Sequence, residues 1–169
     1  MNTAKRVALL GVLTSQALVL SIVESLIPIP VAIPGIKLGL ANIVTVLVII
    51  FFGGGEALTV TLIRCILSSV FSGGGLMIFL FSISGGMLST LFMVLIYKIG
   101  GNKFSIIGVS IVGATAHNIG QLLMAILFMG TLFVVNLLPI LLISGCVMGF
   151  ITGITSNLLV KILKKTKIL

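Results

Sequence analysis

Charge is almost absent from this chain, and what there is lies in a few places. Of 169 residues, ten are Lys or Arg, two are Glu and none is Asp. Eight of the bases, Lys5, Arg6, Lys98, Lys103, Lys161, Lys164, Lys165 and Lys167, fall at the two ends or in one short central break. The stretches between are apolar, with a few isolated polar groups set into them. Residues of hydrophobic type make up 59% of the chain, more apolar surface than a soluble domain of this size can bury. The pattern is that of an all-α polytopic membrane protein, in which each spanning segment closes its own backbone hydrogen bonds.

The net charge of +8 does not indicate nucleic acid, because the bases sit on short connectors and form no continuous face. They read as topology signals, and the Lys-rich C-terminus also suits contact with anionic lipid headgroups. Lys5 and Arg6 before an apolar stretch resemble a signal peptide. With no small-residue cleavage site following, the segment reads as a retained first helix. Cys65 and Cys146, far apart in apolar runs, read as reduced core residues.

Breakers divide the whole chain, taken as one transmembrane domain over residues 1–169, into six spans. They run from about Val7 to Ile27, Leu38 to Phe52, Ala57 to Ser72, Leu76 to Tyr97, Ser105 to Phe128 and Leu137 to Leu163. Pro28, Pro30 and Pro34 interrupt helix after the first, and Gly53–Gly55 and Gly73–Gly75 stop the second and third. The second and third spans are short against a hydrocarbon core of about 30 Å, so a thinned membrane or a re-entrant pair are both open. Six crossings with both termini cytoplasmic leave only Lys37 among the outer segments, which is the orientation the positive-inside rule selects.

Small residues recur on single faces: Ala4, Ala8, Gly11 and Ser15 on the first span, Ser82, Gly85, Gly86 and Ser89 on the fourth, Gly145, Gly149 and Gly153 on the sixth. Such stripes let backbones approach closely in lipid. On the fourth and sixth they predict packing within the chain. On the first, which starts at the membrane edge, a partner protein competes evenly with that reading.

The chemistry-bearing groups gather in the outer half: Arg64 and His117 near midplane, then Gln121 and Asn42, then Glu24, with Lys37 at the mouth. Arg64 at a helix centre costs about 2.5–3.5 kcal/mol on insertion scales, so it must face protein or water. Thr61, Arg64 and Ser68 share a face. An anion-binding role and a structural ion pair with Glu24 stand side by side as readings. Glu24 could instead bind a cation, carry a proton or neutralise Lys37. Glu56, beside the inner glycines, reads as a solvated loop charge. His117, Asn118 and Gln121 form a polar patch that either lines a ligand or bonds across to neighbouring helices. A single His without Asp or a nearby thiol makes too few ligands for a metal.

Several activities are excluded. No phosphate-loop motif occurs, no Ser-His-acid set can be assembled at one depth, and two Glu without Asp cannot cluster to hold Mg²⁺ on a diphosphate. Catalysis by this chain alone, including magnesium-dependent prenyl transfer, is therefore not expected, and no cofactor is called for.

The stretches PGIKLGLANIVTVLVI, EALTVTLIRCILSSVFSGG, FSISGGMLSTL and FSIIGVSIVGATAHNIGQLLMA closely resemble the Gx transporter family, often labelled heptaprenyl diphosphate synthase component I. KLGLAN and AHNxGQ are the most specific parts. More distantly the chain is similar to the substrate-binding S components of energy-coupling factor transporters. That resemblance implies a six-helix S-component-like bundle in the bacterial plasma membrane, an outward small-molecule site, and docking through the Ala4 and Ala8 stripe onto a transmembrane coupling subunit driven by ATPases. Three functions then compete. The first is uptake of a vitamin-like or isoprenoid- or quinone-related molecule contacting Glu24, Lys37, Asn42, Arg64, His117, Asn118 and Gln121 under the Pro28–Gly35 loop. The second is a non-catalytic membrane subunit of a prenyl diphosphate synthase or a flavin-based electron-transfer complex. The third is a scaffold without ligand.

Overall fold

The computed structural model describes residues 2–26, 39–73, 75–100 and 104–166, and these form helices with no strand among them. α1 covers Thr3–Leu26, α2 Asn42–Phe51, α3 Gly54–Phe71, α4 Gly75–Gly100, α5 Ile106–Met129 and α6 Leu138–Thr166, the last preceded by a 3-10 turn over Leu132–Leu137. Local chemistry sets the boundaries. Gly53, at φ 112°, breaks the chain after α2, but Gly54 and Gly55 already belong to α3. Ser105 caps α5 by accepting the Gly108 N–H, and Gly130 ends it in the left-handed region.

Five helices, counting α6 with its lead-in, are long and apolar enough to cross a membrane. The second expected span survives as only ten helical residues, about 15 Å. The reason lies at its start, where Gly39 adopts φ 87° and Asn42 and Ile43 donate to Gly39 and Leu40 in a tighter turn. Even so, this segment traverses the fold. At one end the Glu24 carboxylate accepts the N–H groups of Gly39 and Leu40, and at the other Arg6 donates to the Phe52 carbonyl at 3.4 Å. Residues 6 and 24 of α1 are separated by roughly 27 Å of helix, so the Gly39–Phe52 segment runs antiparallel to α1 over nearly that height.

α1, α3, α4, α5 and α6 stand in a crescent, each against the next, and α1 does not touch α6. α2 fills the concave side and packs on all five. Its sequence carries no polar stripe because no face of it meets water or lipid alone: Val44 through Ile49 are all buried. The small-residue stripes of α4 and α6 are consumed inside the chain. A Cβ added to Gly149 would lie 2.5 Å from the Ile111 Cα, one on Gly153 2.8 Å from the Ile107 Cα, and one on Gly120 2.6 Å from the Ser84 carbonyl oxygen. On α1, by contrast, Ala4, Ala8, Gly11 and Ser15 are all exposed.

Glu56 proves not to be a solvated loop charge. It sits in the first turn of α3, where the helix end favours an anion, and pairs with Arg6. α1 and α3 thus start from the same end, and the alternation of α4, α5 and α6 brings Lys98, Lys161, Lys164 and Lys165 there too. Both Thr3 and Thr166 lie at this basic end. Cys65 is buried with its thiol toward the Ser82 carbonyl at 3.2 Å, whereas Cys146 is exposed on α6 and is not a core residue.

Candidate functional site

Arg64 sits midway along α3 and is 2% exposed. The absence of a side chain at Gly86 makes room for it: a Cβ there would stand 3.0 Å from Arg64 Nη2. The neighbouring polar groups of the α3–α4 seam are satisfied. Thr61 and Thr90 share a hydrogen bond of 2.9 Å, Thr90 also donates to the Gly86 carbonyl, and Ser68 donates to that of Cys65. Arg64 differs from them. Its Nε and Nη2 find no hydrogen-bond partner among the described residues, and neither do the buried hydroxyls of Ser82 and Ser89, which flank Gly86 on the same face of α4. The ion pair with Glu24 considered from sequence is not formed; among the described residues the salt bridge is Arg6–Glu56.

Glu24 instead anchors the lead-in to the inner helix. Buried to 1%, it accepts the N–H groups of Gly39 and Leu40 in the turn just before α2, near the helix end that favours a carboxylate. Asn42 follows, also 1% exposed, with both polar side-chain atoms unpartnered among the described residues. The Gly39 Cβ position would lie 2.9 Å from Asn42 Nδ2 and 3.8 Å from His117 Cγ, so the α2 start meets the middle of α5. From α5, His117 Cε1 and Gln121 Cγ come within 3.1 and 2.9 Å of the Gly85 Cβ position. Arg64 and His117 therefore reach one glycine pair, Gly85–Gly86, from opposite neighbours.

Asn118 points elsewhere. Its Nδ2 donates to the Leu141 carbonyl at 2.7 Å and to Ser144 Oγ at 3.3 Å, tying α5 to α6. Lys37 and the Pro28–Gly35 loop lie outside the described residues. The structure brings Glu24, Asn42 and His117 together around the α2 start, with Gln121 beside His117 at Gly85, and sets Arg64 across the glycine pair. Ser82 and Ser89 were read from sequence only as packing residues. The signal that they belong with Arg64 is their i−4 and i+3 placement about Gly86, which becomes informative once Arg64 is known to lie there.

An orphaned buried polar group costs about 1–3 kcal/mol, more when charged. A guanidinium with two open donors, flanked by free hydroxyls, can take up a carboxylate or phosphate in forked geometry. No three His, Cys, Asp or Glu side chains gather among the described residues to hold a metal. A separate groove of about 720 Å³ runs between α1 and α3, with Gly11, Ser15, Thr59 and Ile63 among its walls.

Comparison with known proteins adds one result. A family model described as heptaprenyl diphosphate synthase component I matches residues 13–159. No curated protein matches, and no solved structure does.

Proposed function

The chain belongs to the heptaprenyl diphosphate synthase component I family, and from that premise we propose that it is a membrane-embedded binding subunit that captures a small anionic or zwitterionic molecule and hands it on with a partner. One observation carries this reading: Arg64 is buried at mid-bundle with open donors and no counter-charge among the described residues. Burying a cation that way is tolerable only if something else completes it part of the time. Asn42, His117 and Gln121 would orient the polar head of a vitamin-like or isoprenoid- or quinone-related ligand, and Glu24 would hold the α2 start in place beside it. Asn118 contributes by clipping α6.

The basic end, under the positive-inside rule, faces the cytoplasm, and the Glu24–Gly39 end faces out. Uptake then needs an energy-supplying partner, a transmembrane coupling subunit with ATPases. The exposed stripe Ala4, Ala8, Gly11 and Ser15, with the groove beside it, gives such a subunit a close-packing face. The family's description favours a second reading: a non-catalytic membrane subunit that serves prenyl diphosphate synthesis beside a soluble catalytic component.

Native mass spectrometry of gently purified protein tests both. The uptake reading expects a co-purified small molecule whose affinity falls about 100-fold or more in Arg64→Ala and clearly in His117→Ala. Retention of that molecule by both variants would sink it. Stable co-purification of a soluble prenyl-transferring partner, with no bound small molecule, would establish the second reading instead.

A further inference from the structure

The donors that Arg64 leaves open are Nε and Nη2. On a guanidinium these two nitrogens share one edge, and their N–H bonds run parallel. Arg64 therefore presents a whole fork, the shape that meets a planar two-oxygen group with two parallel hydrogen bonds. Few acceptors compete for it. A Cβ at Gly86 would stand 3.0 Å from Nη2 and from Thr61 Cγ2, and 3.2 Å from Cys65 Sγ, so a methyl group and a thiol close in beside the fork. The Thr61 hydroxyl is engaged with Thr90, and the Cys65 thiol lies toward the Ser82 carbonyl. The hydroxyls of Ser82 and Ser89, both buried, are without a partner among the described residues and free to donate.

Charge narrows the ligand further. Among the described residues the other Lys and Arg, namely Lys5, Arg6, Lys98, Lys161, Lys164 and Lys165, lie at the basic end, so Arg64 is the one fixed cation of this seam. The chain has two Glu and no Asp, and both Glu are engaged elsewhere, Glu56 with Arg6 and Glu24 with the N–H groups of Gly39 and Leu40. A group carrying a single negative charge neutralises the seam. A phosphate ester, at about −1.5 to −2 near neutral pH, leaves negative charge buried without a partner, which is strongly unfavourable.

Resting on the binding role proposed above for Arg64, we infer that the group it takes up is a single carboxylate, and that the ligand is a monocarboxylate rather than a phosphate or diphosphate ester. The two carboxylate oxygens lie on Nε and Nη2, and the Ser82 and Ser89 hydroxyls donate to lone pairs that remain.

Thermal unfolding of the full-length protein in neutral detergent, at neutral pH, reads binding through the dependence of the midpoint on probe concentration. Sodium butyrate, sodium butyl phosphate and sodium chloride are titrated in separate arms and compared at equal ionic strength. The first two share an apolar tail and differ in the anionic head, and the third is a spherical anion of the same charge as butyrate. Butyrate is expected to raise the midpoint along a saturating curve, with an apparent Kd about tenfold or more below those of the other two. Arg64→Lys keeps the charge and loses the fork, and should weaken butyrate about tenfold. Arg64→Met should abolish the response. The ranking of the three probes on the unaltered chain decides the matter even where a variant fails to fold. Equal or tighter binding of butyl phosphate or chloride, an unsaturable butyrate response, or an Arg64→Lys affinity within about twofold of native would overturn the carboxylate assignment. The binding reading fails separately. A co-purified molecule that has no carboxylate and is lost in Arg64→Ala sinks the carboxylate alone, whereas its retention by both Arg64→Ala and His117→Ala sinks the binding role itself.

Discussion

Along α5 two seams use the same small and polar residue types to opposite ends. Toward α6, glycines 145, 149 and 153 bring the backbones into contact, Ser110 and Thr152 share a hydrogen bond of 2.8 Å, and Asn118 donates to the Leu141 carbonyl. Toward α4 and α2, Gly85 and Gly86 instead make room for side chains, His117 and Gln121 on one flank and Arg64 on the other. Arg64, which enters that room, and Ser82 and Ser89, which flank it on α4, are left with open hydrogen-bonding atoms among the described residues, as is Asn42 at the α2 start. A glycine can thus serve a membrane helix by admitting a backbone or by admitting a polar head. The first use closes a seam and the second leaves one to be completed.

The largest expected effect probes the closed seam. Gly149→Ala places a methyl against the Ile111 backbone, which cannot swing aside, and should cost about 3 kcal/mol; thermal unfolding in detergent measures it. A melting point equal to the native one would show that the seam is looser than its geometry. Arg64→Met probes the open seam and should move stability the other way, by about +1 to +2 kcal/mol without ligand, since an uncompensated buried charge is exchanged for an apolar chain of similar length. Marked destabilisation would mean that Arg64 is a structural member, and the contrast between the seams would fail. Ser110→Ala should cost about 1 kcal/mol by removing the bond it gives Thr152, whose own hydroxyl keeps the Met148 carbonyl as acceptor at 2.8 Å, and a double-mutant cycle with Thr152→Val should recover a coupling of about 0.6 kcal/mol. Smallest is Glu56→Gln at the half-exposed Arg6 pair, below about 1 kcal/mol and vanishing at high salt. A salt-insensitive loss there would show that the pair clamps α1 to α3.

Much of the architecture was legible because lipid imposes simple rules. Span positions agreed with the helices to within a few residues, and Glu24, Asn42, Arg64, His117, Asn118 and Gln121, singled out as polar groups in apolar runs, are each 3% exposed or less. Burial of such groups follows from insertion cost alone. Their partners did not follow. The sequence sets Glu24 beside Arg64 and Lys37 as a counter-charge, yet among the described residues its carboxylate accepts the N–H groups of Gly39 and Leu40, in the turn before α2, which periodicity cannot indicate. Asn118 and His117 are consecutive, and only the placement of α6 turns one to a neighbouring carbonyl while the other faces α4.

Composition and spacing determined, on their own, that this is a multi-helix membrane protein, where its helices lie and which side chains must hide from lipid, because each of those is settled residue by residue by transfer cost and breaker chemistry. Which hidden groups satisfy one another, which stay open, and that a ten-residue helix sits inside a crescent of five were decided by the tertiary structure. Hydrogen bonds and close backbone contacts depend on how helices distant in sequence are rotated and staggered against each other, and a single apolar chain is compatible with many such arrangements until they are packed.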